Sequence, residues 1–218
     1  MPIPPLESGD RLSRAEFERR YNATPEGFKA ELINGVVYVA SPVRIVHGRP
    51  HATLMTWLGT YWTATPGTDL ADNTTTRLDL KNEPQPDALL RLEVGGSSSI
   101  SDNGYIEGAP ELVAEVAASI AAIDLGDKKT AYKRNGVREY LVWQVFDNRL
   151  DWYCLQDGKY LPLEPDADGI IRSLVFPGLW LAVSALLEGD RVKVLAVLEL
   201  GLNSPEYIAF LQHLYQQR

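Results

Sequence analysis

The chain has 218 residues, of which 45% are hydrophobic and 23% are charged, a composition typical of globular domains. This length fits one domain whose core is large enough to fold without a disulfide or a metal staple. The 21 lysines and arginines are outnumbered by 29 aspartates and glutamates, giving a formal net charge of −8. That balance argues against tight non-specific binding to nucleic acid, because such proteins usually present a basic surface.

The N-terminal part of the chain predicts a short helix followed by a β-hairpin. Ser13 is a suitable N-cap for a helix over residues 12–17. Residues 30–33 and 36–39 are strand-like runs on either side of Asn34-Gly35, the dipeptide that most favours a two-residue hairpin turn.

The middle of the chain predicts one amphipathic helix, two strands and a loop. Apolar residues recur at helical spacing over residues 51–62, where His51 is a helix-start residue. Residues 75–80 alternate in polarity as a half-exposed strand does, and residues 87–92 form an apolar strand. The run GGSSS at 95–99 is typical of a flexible loop.

The remainder predicts a buried strand, a helix that ends at a glycine, a strand pair and two C-terminal helices. In chain order these are residues 112–117, a helix from about Leu125 to Asn135 before Gly136, strands 139–145 and 149–155 turning at Asp147-Asn148, and a helical tail from Val192 broken at Ser204-Pro205.

This order of elements predicts an α/β fold with a mixed central β-sheet flanked by helices, an N-terminal β-hairpin and C-terminal helices. No linker, repeat or low-complexity run divides the sequence. We therefore expect a single domain over residues 1–218, with a core of about 12–187 and a C-terminal helical extension of about 191–218.

Cysteine content and hydropathy indicate a cytoplasmic protein without a membrane-spanning segment. The single cysteine, Cys154, cannot form an internal disulfide, as is usual in a reducing compartment. No apolar run approaches the roughly 18 residues of a membrane span, and the start MPIPPLESGD lacks the regions of a secretory signal. Three scattered histidines and one cysteine also disfavour a tetrahedral zinc site.

Two acids stand out for chemistry. Glu115 interrupts the buried strand 112–117, and an isolated buried carboxylate costs several kcal/mol unless it is paired or neutralised. Asp87 follows Pro86 at the head of another apolar strand and is the best second acid. Paired acids that hold a hard cation are one standard solution, and Mg²⁺ prefers such oxygen ligands.

A lysine is the third component of such a site. A bound Mg²⁺ lowers the pKa of a coordinated water and stabilises charge on a phosphate, and a nearby lysine orients that water or offsets the developing charge. Lys128 and Lys129 lie on the helix after the Glu115 strand. A chain that returns from a strand into a packed helix can bring either side chain back over the carboxylates.

The order of these residues resembles the PD-(D/E)XK, or restriction-endonuclease-like, superfamily. It resembles in particular a large bacterial branch of endonucleases formerly catalogued as a domain of unknown function. The resemblance covers roughly residues 12–187. The matching stretches are ELING at 31–35, Ser41-Pro42 with His47, QPD at 85–87, APELVAEV at 109–116, then Asp124, Lys128, Tyr132 and GVREY at 136–140.

The resemblance implies a restriction-endonuclease-like core and a Mg²⁺-dependent endonuclease, with Mn²⁺ as an alternative metal, that hydrolyses DNA. The roles it implies are metal binding by Asp87 and Glu115, catalysis by these two acids with Lys128 and Glu31, and substrate binding by His47, Arg49 and Tyr132. It also implies a homodimer, because restriction-type folds often cut two strands with two sites. One candidate interface is the C-terminal helices around Val194, Leu198, Ile208 and Leu211.

One departure from the superfamily pattern leaves other functions open. The superfamily places a lysine two residues after the second acid, where this chain has Ala117. In the resembled branch the lysine lies on the following helix, where Lys128 matches and Lys129 is its neighbour. This departure and the charge of −8 leave room for a non-catalytic nuclease-fold interaction or regulatory module, or for a toxin-like protein that needs a partner. A structural ion pair of Glu115 with Arg138 or Lys133, and a core role for Tyr132, are the plainer alternatives.

Overall fold

The chain, described over residues 2–118 and 121–217 in a computed structural model, folds around a six-stranded mixed sheet. The strands are β1 Ala30–Ile33, β2 Val36–Val39, β3 Thr68–Asp72, β4 Thr76–Arg77, β5 Ala88–Leu92, β6 Ser98–Ile100, β7 Ile106–Gly108, β8 Leu112–Ala117, β9 Glu139–Gln144, β10 Arg149–Gln156, β11 Lys159–Pro162, β12 Ile170–Arg172 and β13 Trp180–Ala182. The helices are α1 Arg14–Tyr21, α2 Ile45–Ala64, α3 Ala121–Ile123, α4 Lys129–Asn135, α5 Val183–Glu188, α6 Arg191–Leu202 and α7 Pro205–Gln217. A π-helical segment, Asp124–Lys128, joins α3 to α4.

The central sheet has the order β11-β10-β9-β8-β5-β3, and β8 and β9 are its parallel pair. Every residue of these two strands is buried, as expected where helices cover both faces of a sheet. One face packs against α2 and α6 through residues such as Trp57 and Leu198. The other packs against α4 through Tyr132. The predicted α/β class, a mixed sheet between helices, is confirmed.

The N-terminal hairpin forms a separate two-stranded sheet that pairs through its backbone with the segment before β5. The β1 and β2 bounds agree with the prediction, and Asn34 and Gly35 adopt φ of 51° and 76° at the turn, as a two-residue hairpin turn requires. Leu32 of β1 exchanges backbone hydrogen bonds of 3.2 and 2.7 Å with Glu83. The hairpin therefore lies beside the segment that leads into β5.

Several predicted boundaries change in the structure. The α2 helix begins at Ile45, ahead of the predicted start at residue 51, and it continues through Pro50, a residue that usually interrupts helices because it lacks an N–H donor. The β3 strand was not predicted, and the predicted strand 75–80 contracts to the two residues of β4. The predicted loop 95–99 contains the start of β6.

The C-terminal helices α6 and α7 are confirmed on either side of the predicted break. Val194 and Leu198, proposed above for a dimer interface, are 1% and 0% exposed within this chain, so that part of the prediction is wrong. Gly201 permits the close packing of α6, since a Cβ there would lie 2.2 Å from the Gly178 carbonyl oxygen. Within the described residues no single helix is long and apolar enough to cross a membrane; α6 and α7 reach that length and composition only together, with a bend of 64°.

Glu139 is a buried acid whose role is structural. Its Oε1 accepts hydrogen bonds from the backbone N–H groups of Leu174 and Val175, at 2.7 and 3.1 Å. Its Oε2 accepts from Ser173 Oγ and Trp152 Nε1, at 2.8 and 3.2 Å. The Glu139 carboxylate is thus surrounded by hydrogen-bond donors. These hydrogen bonds connect β9 to the segment before β13.

We expect Glu139→Gln to lower the free energy of unfolding by about 2 kcal/mol, because its NH₂ group would face donors and leave buried groups unpaired. Glu199→Gln, the same change on the exposed surface of α6, should cost no more than about 0.5 kcal/mol. Urea unfolding followed by tryptophan fluorescence measures both. Equal midpoints for the two variants would contradict the assigned role.

Candidate active site

A buried ammonium group connects three separate parts of the fold. Lys128 Nζ lies 3.1 Å from Glu115 Oε1 on β8 and 3.0 Å from Glu31 Oε1 on β1. The side chains of Lys128 and Glu115 are only 8% and 4% exposed. The structure therefore brings together three residues that lie 13 to 97 positions apart in the sequence.

Asp124 completes the surroundings of this lysine. Its Oδ1 lies 3.7 Å from Lys128 Nζ, one helical turn away. The sequence matched Asp124 to the family pattern without assigning it to the site. In the sequence Asp124 lies four residues before Lys128, a spacing that places two side chains on one face of a helix. This spacing is the sequence feature that points to Asp124 as a site residue.

Burial and charge shift the pKa values in this cluster. Burial opposes the charged form of Lys128, but Glu115, Glu31 and Asp124 together raise its pKa well above the usual value. Burial raises the pKa of Glu115 well above its usual range and that of Asp124 to about 6, with Lys128 opposing both shifts. The lysine is therefore a permanent cation that partly offsets several crowded acids.

Asp87 lies on the neighbouring strand end, beside Glu115. The antiparallel pairing aligns Ala88 with Ala114, so Asp87 and Glu115 occupy adjacent positions across β5 and β8. The Val116 N–H donates to Asp87 Oδ2 at 2.7 Å. Burial opposes ionisation of Asp87, but His47, this N–H group and Lys128 hold its pKa below the usual value.

Two histidines of α2 flank Asp87. His47 Nε2 is 3.2 Å from the Asp87 carboxylate, and the hydrogen bond to Asp87 raises the pKa of His47 although burial opposes the shift. His51, predicted only as a helix-start residue, places Nε2 2.9 Å from the Asp87 carbonyl and 3.1 Å from Asp72 Oδ1. The early start of α2 explains both contacts, because it puts the two histidines one helical turn apart on the same face.

Lys128 and Lys129, which the sequence alone could not distinguish, make different contacts in the structure. Lys129 Nζ lies 3.3 Å from the centre of the Tyr153 ring, away from the acids. Five-residue backbone bonding in the π-helical segment, including Lys129 N–H to the Asp124 carbonyl, shifts the helical phase so that Lys128 faces Glu115. The described contacts of Glu115 therefore involve Lys128, not the alternative partners Arg138 or Lys133.

The remaining predicted site residues differ in position. Tyr132 is fully buried, and its hydroxyl donates to Glu115 Oε1 at 2.8 Å, so it supports the acid and has no surface for the substrate contact predicted above. Arg49 is exposed on α2, two residues after His47. It lies outside the acid cluster, and a substrate contact for it remains a prediction.

The donor set is compatible with a hard cation. Among the described residues, no three His, Cys, Asp or Glu side chains form a ready-made metal site, and Lys128 already lies among the acids. Mg²⁺ needs only one or two protein carboxylates, since water and substrate phosphate complete its shell. Asp87 and Glu115 supply oxygen ligands on adjacent strands, and this chemistry fits Mg²⁺.

Comparisons with known proteins give the family and the fold of this chain. The family model described as "Uma2: Putative restriction endonuclease" matches residues 14–184. A crystal structure described as a "putative nuclease belonging to DUF820", from Anabaena variabilis, has a TM-score of 0.59 and 12% sequence identity to this chain. The match covers 78% of this chain and 96% of that one, so the two share a fold. No curated protein matches the sequence.

Removing the buried cation should destabilise the protein. We expect Lys128→Met to lower the free energy of unfolding by about 3 kcal/mol, because it leaves buried carboxylates without a counter-charge. Lys129→Met removes only a ring contact and should cost about 1 kcal/mol or less. Chemical unfolding of both variants at one pH tests the difference, and a larger loss for Lys129→Met would refute the assignment.

Proposed function

This chain belongs to the Uma2 family, described as "Putative restriction endonuclease", and from that membership we propose that it is a metal-dependent endonuclease that hydrolyses phosphodiester bonds in DNA. The observation that carries the proposal is the buried contact of Lys128 with Glu115 and Glu31, with Asp87 on the adjacent strand. A purely structural ion pair needs one acid; this lysine has three acids within 3.7 Å.

Asp87 and Glu115 are the proposed ligands of Mg²⁺ or Mn²⁺. When bound, the ion lowers the pKa of a coordinated water and offsets charge on the scissile phosphate. The Val116 N–H fixes the Asp87 carboxylate, and the Tyr132 hydroxyl fixes that of Glu115. These two hydrogen bonds hold the acids in place before substrate arrives, which reduces the reorganisation that the reaction needs.

Lys128 is the proposed group that orients the attacking water and offsets charge as the phosphate is attacked. Its own position is set by Glu31, whose Oε1 also accepts a 2.7 Å hydrogen bond from the Gln85 backbone N–H. Glu31 thus connects the hairpin to the lysine and to the segment before Asp87. We assign it the role of positioning Lys128.

The start of α2 is the proposed surface for the DNA phosphates. His47 lies against Asp87, so this end of the helix adjoins the acid cluster. Arg44 and Arg49 are exposed on the same end of the helix. They provide local positive charge in a chain whose formal net charge is −8. A homodimer remains part of the proposal, because double-strand cleavage uses two sites.

A second candidate is a nuclease-fold module without catalytic activity. The observation that favours it is Lys128 itself, whose ammonium already occupies a place among the acids, together with the absence of a ready-made three-ligand site in the described residues. In this second candidate, the Lys128 ammonium takes the place that a metal ion would have among the acids. Cleavage and metal binding distinguish the two candidates.

Cleavage of supercoiled, linear and single-stranded DNA with Mg²⁺ or Mn²⁺ is the direct test. We expect metal-dependent nicking that falls by roughly 100-fold or more in Asp87→Ala and Lys128→Ala, the size seen when a transition-state contact is lost. Lys129→Ala, which alters the neighbouring lysine whose ammonium lies over the Tyr153 ring, should retain activity. Activity of the wild-type protein no higher than that of Asp87→Ala would refute catalysis and favour the non-catalytic module.

Metal binding should also stabilise the folded chain without any substrate. At 100 times its dissociation constant, Mg²⁺ should raise the free energy of unfolding by about 2.7 kcal/mol. Asp87→Ala should abolish this shift, whereas Asp168→Ala, which removes an exposed acid outside the cluster, should leave it intact. Thermal melts with increasing Mg²⁺ or Mn²⁺ measure the effect, and an equal shift in both variants would place the metal elsewhere.

A further inference from the structure

The backbone at Asp87 lies one residue beyond the paired part of its strand. On one side, the register of β3 with β5 ends where Asp72 opposes Ala88. On the other side, the register of β5 with β8 ends where Ala88 opposes Ala114. In these registers neither neighbouring strand pairs with Asp87 itself, and the ends of paired segments open most easily. A residue that is proposed to hold a metal ion therefore needs another restraint on its backbone.

His51 supplies a contact to that backbone. Its Nε2 lies 2.9 Å from the Asp87 carbonyl oxygen and 3.1 Å from Asp72 Oδ1. A carbonyl and an ionised carboxylate only accept hydrogen bonds, so Nε2 carries the hydrogen that these two oxygens share. The side chain of His51 is 17% exposed, which limits competition from water. The imidazole thus connects the last residue of β3 to the residue that precedes β5.

The helix that carries His51 is held by packing. Leu54 and Trp57 of α2 are fully buried, and Trp57 Nε1 donates to the Trp180 carbonyl at 3.0 Å. Leu54 lies three residues after His51, so the two side chains share one face of the helix. The imidazole therefore projects from an anchored element to the Asp87 backbone.

His47 and His51 contact different parts of Asp87. His47 Nε2 lies 3.2 Å from the carboxylate oxygens, which are the atoms that a metal ion would use. His51 contacts the carbonyl and leaves those oxygens open. The carboxylate itself is directed by the Val116 N–H, which donates to Oδ2 at 2.7 Å. A hydrogen bond that holds a ligand residue without occupying its ligating atoms orients that ligand, and its loss typically weakens metal binding by roughly 10- to 100-fold.

We propose that His51 is a positioning residue for Asp87. Its Nε2–H fixes the Asp87 backbone so that the carboxylate lies beside Glu115 and the two acids can share one divalent cation. This inference deepens the function proposed above and rests on it. In this role His51 touches neither the metal ion nor the DNA. Its loss should displace one carboxylate and leave the rest of the fold in place.

The hydrogen on Nε2 can be observed in the wild-type protein, without any substitution. Long-range proton–nitrogen NMR spectra of imidazole rings distinguish the two neutral tautomers. We expect the neutral ring of His51 to carry its hydrogen on Nε2. A neutral ring with the hydrogen on Nδ1 would overturn the proposal, because a bare Nε2 cannot donate to the Asp87 carbonyl.

The backbone amide of Val116 reports the position of the Asp87 carboxylate in the metal-free protein. Its NMR resonance in Asp87→Ala marks complete loss of the hydrogen bond between them. His51→Met, which fills the space of the ring but has no donor, should move the resonance towards that reference. His51→Gln, which has nearly the same size as His51→Met but keeps an N–H donor, should leave it close to the wild-type value. An unchanged resonance in folded His51→Met would overturn the proposal.

Metal affinity is the second readout. Titration with Mn²⁺ in the absence of DNA, followed by electron paramagnetic resonance of the free ion, measures it directly. We expect His51→Met to bind Mn²⁺ roughly 10-fold more weakly than the wild-type protein, and His51→Gln to bind with nearly the wild-type affinity. Thr56→Ala, which changes an exposed residue of the same helix, should also bind normally. Equal affinity of His51→Met and Thr56→Ala would overturn the proposal.

Asp72→Ala separates the two contacts of His51. It removes one acceptor and leaves the Nε2 hydrogen to the Asp87 carbonyl, so the Val116 amide should stay close to its wild-type resonance. A shift as large as that of His51→Met would show that His51 anchors β3 and does not position Asp87. Thermal melting of each variant checks that it is folded.

The outcomes separate this proposal from the nuclease function. Mn²⁺ binding that is equally strong in the wild-type protein and His51→Met would keep the metal site and refute the role of His51. No Mn²⁺ binding by the wild-type protein would refute the metal-dependent nuclease. In that case the Val116 resonance alone would decide whether His51 positions the Asp87 carboxylate.

Discussion

The buried ammonium of Lys128 is the interaction on which the site depends. It contacts Glu115 on the central strand, Glu31 on the N-terminal hairpin and Asp124 on its own helix. A charge with so little exposure is tolerable only because these acids surround it. The contact therefore couples the placement of the hairpin and the helix to the sheet, and a shift of either element would remove at least one partner from a buried charge.

Buried acids are not rare in this chain, and their partners reveal their roles. Glu111 accepts backbone N–H groups from Leu92 and Ser97, and Glu139 accepts from backbone, serine and tryptophan donors. In each of these acids both carboxylate oxygens accept hydrogen bonds, and the acid connects a strand to a loop. Glu115 differs because a lysine and a tyrosine hydroxyl satisfy it while other carboxylates crowd it. In the proposed function these crowded acids hold the metal, and the Lys128 ammonium faces the phosphate.

The segment from Glu83 to Asp87 connects the N-terminal hairpin and α1 to the acid cluster. Leu32 pairs with its first residue, Gln85 contacts both Glu31 and Tyr21, and Asp87 enters the acid cluster. Two prolines restrict its backbone and favour an extended course. A segment restricted in this way limits how far Asp87 can move relative to the hairpin.

The sequence by itself determined the features that depend on short-range chemistry. Ser13 caps α1, Asn34-Gly35 turns the hairpin, Gly136 ends α4 in a left-handed conformation, and Glu115 interrupts an apolar strand. The order of its motifs also indicated the family. Tertiary structure alone decided that Lys128 and not Lys129 meets Glu115, that Tyr132 lies beneath the acid, that His51 reaches Asp87, and that β3 forms a sheet edge. The physical reason is that local patterns fix backbone conformation, whereas these contacts depend on helical phase and on packing between residues distant in the chain.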